Sequence, residues 1–334
     1  MSIDVHAHIV TPSIVRAARS GEPLHGIAFE HGSQGQLLSR CGDARSVLPW
    51  PNYAESISDR LHNMDDAGAD AHVLSLSPSL FWYQAERSNA VAFARTVNDE
   101  LAEIVRDHPS RFAALAYLPL QDPDESAREL ERCVQELGHV GAIVGTNVGG
   151  MDWDDLRLLP VLETAAGLKA LLFLHPARIR GTDFLGKYHL RNLVGNPMET
   201  TVAVACLIFG GALDRFPDLQ ICLAHGGGYA CLGIGRIDHG YSVRPEASDG
   251  ATQFPSTYLR RMYVDSLVHD EHTLRLIVDR VGAERVLLGS DYPADMGQPD
   301  PVSWINSCRS ITDDEKQLIL EGNLRRMFPA QLRR

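Results

Sequence analysis

The chain has 334 residues and carries 31 basic against 43 acidic side chains, a formal net charge of −12. Hydrophobic residues make up 44% and charged residues 22%, the balance of a globular protein long enough to bury a full core. With no basic tract to offset the acidic excess, nucleic-acid and anionic-membrane partners are excluded, whereas a small anionic molecule held by a few local arginines is not.

Six cysteines (Cys41, Cys133, Cys206, Cys222, Cys231 and Cys308) are scattered and form no Cys-x-x-Cys pair. Neither a zinc knuckle nor a redox pair is indicated. No cationic, apolar leader opens the sequence and no apolar run reaches spanning length. A cytoplasmic protein with free thiols is expected.

Ile3, Val5, Ile9 and Val10 crowd the first ten residues, so Ser2 to Val10 reads as a buried strand. Side chains two apart on a strand share a face, which projects His6 and His8 together. Such a pair can bind one metal ion, Zn²⁺ suiting nitrogen donors, or can simply hydrogen-bond locally. From Thr11 to Tyr53 runs a polar excursion containing Gly32-Ser33-Gln34-Gly35-Gln36 and Pro49-Trp50-Pro51-Asn52. It is too long for an ordinary connection and is expected to be a lid or small subdomain. Helical spacing begins at Ala54 with Ile57, Leu61 and Met64, and Gly68 stops it. A second strand follows at Ala71–Ser77, then a helix at Arg87–Asp107 halted before Pro109.

The alternation continues. Strands are expected at Phe112–Leu118, Val140–Thr146, Lys169–His175, Leu219–His225, Met262–Ser266 and Arg285–Ser290. Helices are expected near Glu125–Leu137, Asp154–Ala166, before Pro217, around Leu274–Val281 and at Thr312–Met327. Asp313 and Asp314 suit the positive end of the last helix. Eight strands separated mostly by helices imply parallel pairing. The expected fold is α/β: a (β/α)₈ TIM-type barrel over residues 1–334, with 11–53 as a small insertion after the first strand.

In such a barrel, catalytic groups gather at the C-terminal strand ends. His6 and His8 end the first strand, His175 the fifth, His225 the sixth and Asp291 the eighth, each after an apolar run. One strand-end histidine is more often structural, but five His and Asp positions at four strand ends point to a site. Three or four N/O ligands are the usual set of a catalytic zinc, leaving a further polar group free as acid or base.

His6-x-His8, the strand-end His175, His225-Gly226-Gly227-Gly228 and Gly289-Ser290-Asp291-Tyr292-Pro293 together resemble the amidohydrolase-related metal-dependent decarboxylases. Met64-Asp65 with Gly68, Pro119-Leu120-Gln121-Asp122 and Val264-Asp265-Ser266 extend the likeness over nearly the whole chain. The resemblance implies that His6, His8, His175 and Asp291 bind the metal, Zn²⁺ or another divalent ion such as Mn²⁺. It gives His225, beside the metal, the acid/base role. It also implies that Arg236 grips a substrate carboxylate across a homodimer interface; pairing with Asp238 is the alternative. Arg45 is the nearest counterpart of the family's other carboxylate-binding arginine, with Arg40 as the alternative. Phe81 and Trp82 suit an aromatic wall for a planar substrate, and core packing accounts equally well for Phe81. After His175-Pro176 the family's aromatic residue is replaced by Ala177, followed by Arg178 and Arg180.

The expected activity is a zinc-dependent, non-oxidative decarboxylation of a small unsaturated or aromatic carboxylic acid, aminocarboxymuconate semialdehyde among them. A hydrolase or hydratase using the same metal set is the alternative.

Overall fold

The apolar runs pair in parallel in the order in which they occur, as the computed structural model shows for residues 2–32, 36–48 and 52–331. The first half comprises β1 (Ile3–Ile9), α1 (Pro12–Ser20), β2 (Ala28–His31), β3 (Leu37–Cys41), β4 (Ala44–Leu48), α2 (Ile57–Asp66), β5 (Ala71–Leu76), α3 (Arg87–Asp107), β6 (Phe112–Tyr117), α4 (Pro123–Gln135), β7 (Gly141–Gly145), α5 (Leu159–Leu168) and β8 (Leu171–His175). The second comprises α6 (Asn196–Phe209), α7 (Ala212–Arg215), β9 (Gln220–Leu223), α8 (Ala230–Val243), α9 (Pro255–Leu259), β10 (Tyr263–Asp265), α10 (Glu271–Val281), β11 (Val286–Leu287), α11 (Pro301–Ser307), α12 (Asp313–Gln317) and α13 (Asn323–Met327).

The eight-stranded sheet has the order β1-β5-β6-β7-β8-β9-β10-β11. Its strands are buried on both faces, which is why they read as nearly continuous apolar runs rather than alternating ones. The seam between first and last strands closes through Val5 N–H to Leu288 O (2.9 Å) and His8 N–H to Tyr292 O (2.7 Å). The eight-stranded TIM-type barrel expected from the sequence is therefore the architecture observed.

Local chemistry sets the helix bounds. Glu86 accepts from the Ser88 and Asn89 amides and starts α3. Its buried face recurs every three or four residues through Ala90, Phe93, Ala94, Val97, Leu101 and Ile104. α5 begins later than the sequence suggests, because Pro160 takes a first-turn position after a 3₁₀ turn at Leu156–Leu158. The excursion after β1 holds α1 and an antiparallel sheet β2-β3-β4 in which Arg40 faces Arg45. Its Ser33-Gln34-Gly35 and Pro49-Trp50-Pro51 portions lie outside the described residues. Among the described residues, Arg191–Phe209 is long and apolar enough by composition to cross a membrane. Here it is a barrel helix, with Ala203, Val204 and Leu207 in the core.

Candidate metal centre

The pairing register between β1 and β5 shifts between Asp4 and Ala7, a local irregularity of the kind that re-aims side chains. His6 and His8 leave β1 there with their Nε2 atoms 3.1 Å apart. Asp291, beyond β11, sits at φ 61° and brings Oδ1 to 3.2 Å from His6 Nε2 and 3.1 Å from His8 Nε2. His175 ends β8, and its ring lies 5.0 Å from that of His6 and 4.9 Å from that of His8. One donor atom from each of the four lies within 4.8 Å of the others, and all four residues are buried.

These donors fit a divalent cation. Unprotonated ring nitrogens and a carboxylate oxygen this close repel one another unless a positive charge lies among them. His175 Nε2 is buried with no hydrogen-bond partner, an orphan that a metal would satisfy. Each ring is also held from behind. His6 Nδ1–H donates to Asp265 Oδ2 at 2.7 Å, His175 Nδ1–H to the Pro176 carbonyl at 2.9 Å, and His8 Nδ1 meets Ser75 Oγ at 3.0 Å. Those bonds leave each Nε2 facing the cluster.

Burial, with the other histidines, holds His175 well below the usual imidazole range, and burial pulls His8 down to about 4. Both rings are therefore neutral and offer lone pairs near neutral pH. Burial would also lower His6, but Asp291 and Asp265 outweigh it and push His6 up to about 10. Burial would raise Asp291, yet His6, His225 and His8 hold it well below the carboxylate range.

His225 stands apart from this set. It opens a tight turn at φ 56°, followed by Gly226, Gly227 and Gly228 at φ 62°, 78° and 63°. A Cβ at Gly228 would lie 2.3 Å from the Pro197 carbonyl oxygen, so glycine is required there. Asp265 holds the turn through the His225 and Gly226 amides at 3.0 and 2.8 Å. His225 Nε2 lies 3.6 Å from Asp291 Oδ2, and its Nδ1 is buried and unpartnered. Beside it opens a cavity of about 420 Å³ whose walls include Tyr229, Leu232, Val268 and Met296. Among the described residues, no lysine or arginine lines it.

The other residues singled out in the sequence lie elsewhere. Phe81 and Trp82 are buried at 8% and 3% exposure and do not line that cavity. Phe81 packs with Tyr83 and Tyr117 in an aromatic cluster. The side chains of Arg45 on β4 and Arg236 on α8 are exposed, with no ion pair or side-chain hydrogen bond among the described residues. Asp238, the alternative partner of Arg236, instead accepts from the Ser256 amide at 2.9 Å. Sequence reasoning gave Asp265 no role, although it too ends an apolar strand. Tyr53, at the end of the excursion, stacks on His8 at 6.5 Å and also went unread.

A profile of the amidohydrolase family matches residues 3–330. The 2-amino-3-carboxymuconate-6-semialdehyde decarboxylase of Dictyostelium discoideum is 39% identical over 331 residues, 97% of this chain and 90% of that protein. The γ-resorcylate decarboxylase of Polaromonas sp. is 30% identical, over 86% of this chain and 93% of its own length. A Polaromonas dihydroxybenzoic acid decarboxylase, solved with manganese and 2-nitroresorcinol, superposes with a TM-score of 0.80. It is 26% identical and covers 98% of this chain and 96% of its own.

A parallel barrel with three histidines and an aspartate converging at its mouth is a divalent-metal enzyme, and the chain belongs to the amidohydrolase family. Within that family it falls among the decarboxylases, which are carbon–carbon lyases.

Proposed function

We propose that this protein is a zinc-dependent, non-oxidative decarboxylase of a small unsaturated or aromatic carboxylic acid, with aminocarboxymuconate semialdehyde as the first substrate to test. The observation carrying this reading is His225, poised 3.6 Å from Asp291 where the buried donor cluster meets the cavity. His6, His8, His175 and Asp291 would hold the ion, which when bound would supply Lewis acidity toward a substrate oxygen.

The chain's own groups supply the rest. Loss of CO₂ leaves an electron pair on the carbon that carried the carboxylate, and that carbon must take up one proton. His225 is the group to hold and deliver it, since its imidazole borders the cavity 3.6 Å from Asp291. Leu232, Val268 and Met296 give that cavity an apolar wall beside His225. A homodimer would bring Arg236 to the partner's cavity as a bidentate fork for carboxylate. In support, the Arg236 side chain on α8 is exposed and has no ion-pair partner among the described residues, and Tyr229 and Leu232 near the start of α8 are 41% and 69% exposed at the cavity wall. Residues 11–53 would act as the lid, with Tyr53 already packed on His8 and Arg45 the excursion's candidate for substrate. A cytoplasmic enzyme is part of the same reading.

The test is reconstitution of metal-free protein with Zn²⁺ or Mn²⁺, followed by product analysis on aminocarboxymuconate semialdehyde and γ-resorcylate. CO₂ release with one solvent proton on the product carbon is expected, fastest with Zn²⁺. A hydrated or hydrolysed product without CO₂ would establish the alternative chemistry.

A further inference from the structure

The mechanism leaves a fully buried arginine unused. Arg60 on α2 has 0% exposure. Its Nη2 donates to the His8 carbonyl at 2.6 Å, and its Nε lies 3.1 Å from Glu55 Oε1. The guanidinium sits over the Tyr292 ring, 4.9 Å from the centroid. Tyr292 Oη donates to Glu55 Oε2 at 2.6 Å and accepts from Asn63 Nδ2 at 2.9 Å. Arg60 Nε and Nη1 make no well-directed hydrogen bond. Burying an arginine so incompletely satisfied is costly, and a compensating role is to be sought in what it touches.

What it touches is the barrel seam. Three of the four metal donors flank that seam: His6 and His8 on β1, and Asp291 beyond β11. β11 spans only Val286–Leu287, so beyond Leu288 the closure rests on the Ala7–Tyr292 bridge, the His8 amide on the Tyr292 carbonyl, and Ser290, whose amide and hydroxyl donate to the Asp4 carboxylate. Arg60 grips both sides: the carbonyl of one ligand, His8, and the ring of Tyr292, which directly follows another ligand, Asp291. Outside this layer lies a cleft of about 610 Å³ lined by Glu55, Asn63 and Tyr292.

We propose that Arg60 is a positioning residue for the metal centre. With Glu55 and Tyr292 it staples the seam, so that His8 and Asp291 are held at metal-binding separation and water in the outer cleft is kept from them. The inference rests on the four donors binding a divalent ion. Removing such supporting contacts characteristically weakens metal binding by about 10–100-fold.

The experiment measures Zn²⁺ affinity of metal-free protein by competition with a chromophoric chelator. Arg60→Met, Arg60→Lys and Glu55→Gln are compared with Arg132→Met, which removes a remote arginine bridging Glu129 and Asp99. Arg60→Met is expected to bind Zn²⁺ about 10–100-fold more weakly and to release it faster to excess chelator. Arg60→Lys should not rescue it, since an ammonium cannot both stack on Tyr292 and reach the carbonyl in the same fork. Arg132→Met should keep wild-type affinity even where its melting temperature falls. If Arg60→Met does not fold, Glu55→Gln decides, because it loosens Arg60 and Tyr292 without burying a new group. Wild-type affinity in the folded Arg60 and Glu55 variants would overturn the proposal, as would an equal loss in Arg132→Met. Failure of wild-type protein to bind Zn²⁺ would instead overturn the metal-site reading on which this rests.

Discussion

His175 and His225 look alike in the sequence, each closing an apolar strand, yet their rings are held in opposite ways. His175 is anchored through Nδ1 and presents an orphaned Nε2 to His6 and His8. His225 turns its Nε2 toward the outer oxygen of Asp291 and faces the cavity. Their substitutions should therefore separate. His175→Ala is expected to lose most of the bound metal, while His225→Ala keeps it and loses roughly 10²–10⁴-fold in kcat. Elemental analysis beside steady-state kinetics checks both; metal loss in His225→Ala, or near-wild-type turnover, would reassign it. That His6, His8, His175 and Asp291 converge, with His225 beside them, was legible because a strand end in a parallel barrel is a defined place. The partner of each outer nitrogen was not. His6 and Asp265 lie 259 residues apart, and nothing local to either string announces that they meet.

At the scale of elements, legibility followed periodicity. The bounds of α3 were readable because its buried positions recur at helical spacing between an acidic N-cap and a following proline. α8 was not. Gly233, Gly235 and Gly240 weaken helix propensity, and its apolar residues do not gather on one face. Leu232 and Val243 are 69% and 54% exposed, an arrangement that makes sense if a second copy covers this helix. The proposal for Arg236 is therefore testable by complementation. Arg236→Ala and His225→Ala are each expected to be nearly inactive. Mixed with subunit exchange, half the dimers would carry one doubly damaged site and one intact site, so activity should return to about one quarter of wild type. No recovery despite demonstrated exchange would mean that Arg236 serves its own chain's site or none.

For the whole molecule, the barrel was legible because eight apolar runs separated by helices leave few other topologies. The seam was not, because β11 is two residues long and its closure with β1 rests on backbone hydrogen bonds and on an Asp4–Ser290 contact between residues far apart in the chain. The barrel's two ends should also respond differently to acid. His139, just before β7 and remote from the metal centre, is 1% exposed, and burial pulls it down to about 4. In the unfolded chain its pKa returns to about 6.5. Between those values the unfolded state binds a proton that the folded state refuses, so stability is full above about pH 6.5 and is lost as pH falls toward 4. At pH 5 the loss from this one ring is about 2 kcal/mol. His72, held well below the usual imidazole range by burial, adds to the loss on acidification. Urea unfolding at pH 7 and pH 5 checks this in wild type and His139→Gln, whose side chain does not titrate. The variant is expected to start less stable but to lose about 2 kcal/mol less between the two pH values. Parallel losses in both proteins would mean that His139 already carries a proton in the folded state, and that acid sensitivity arises at the metal centre instead.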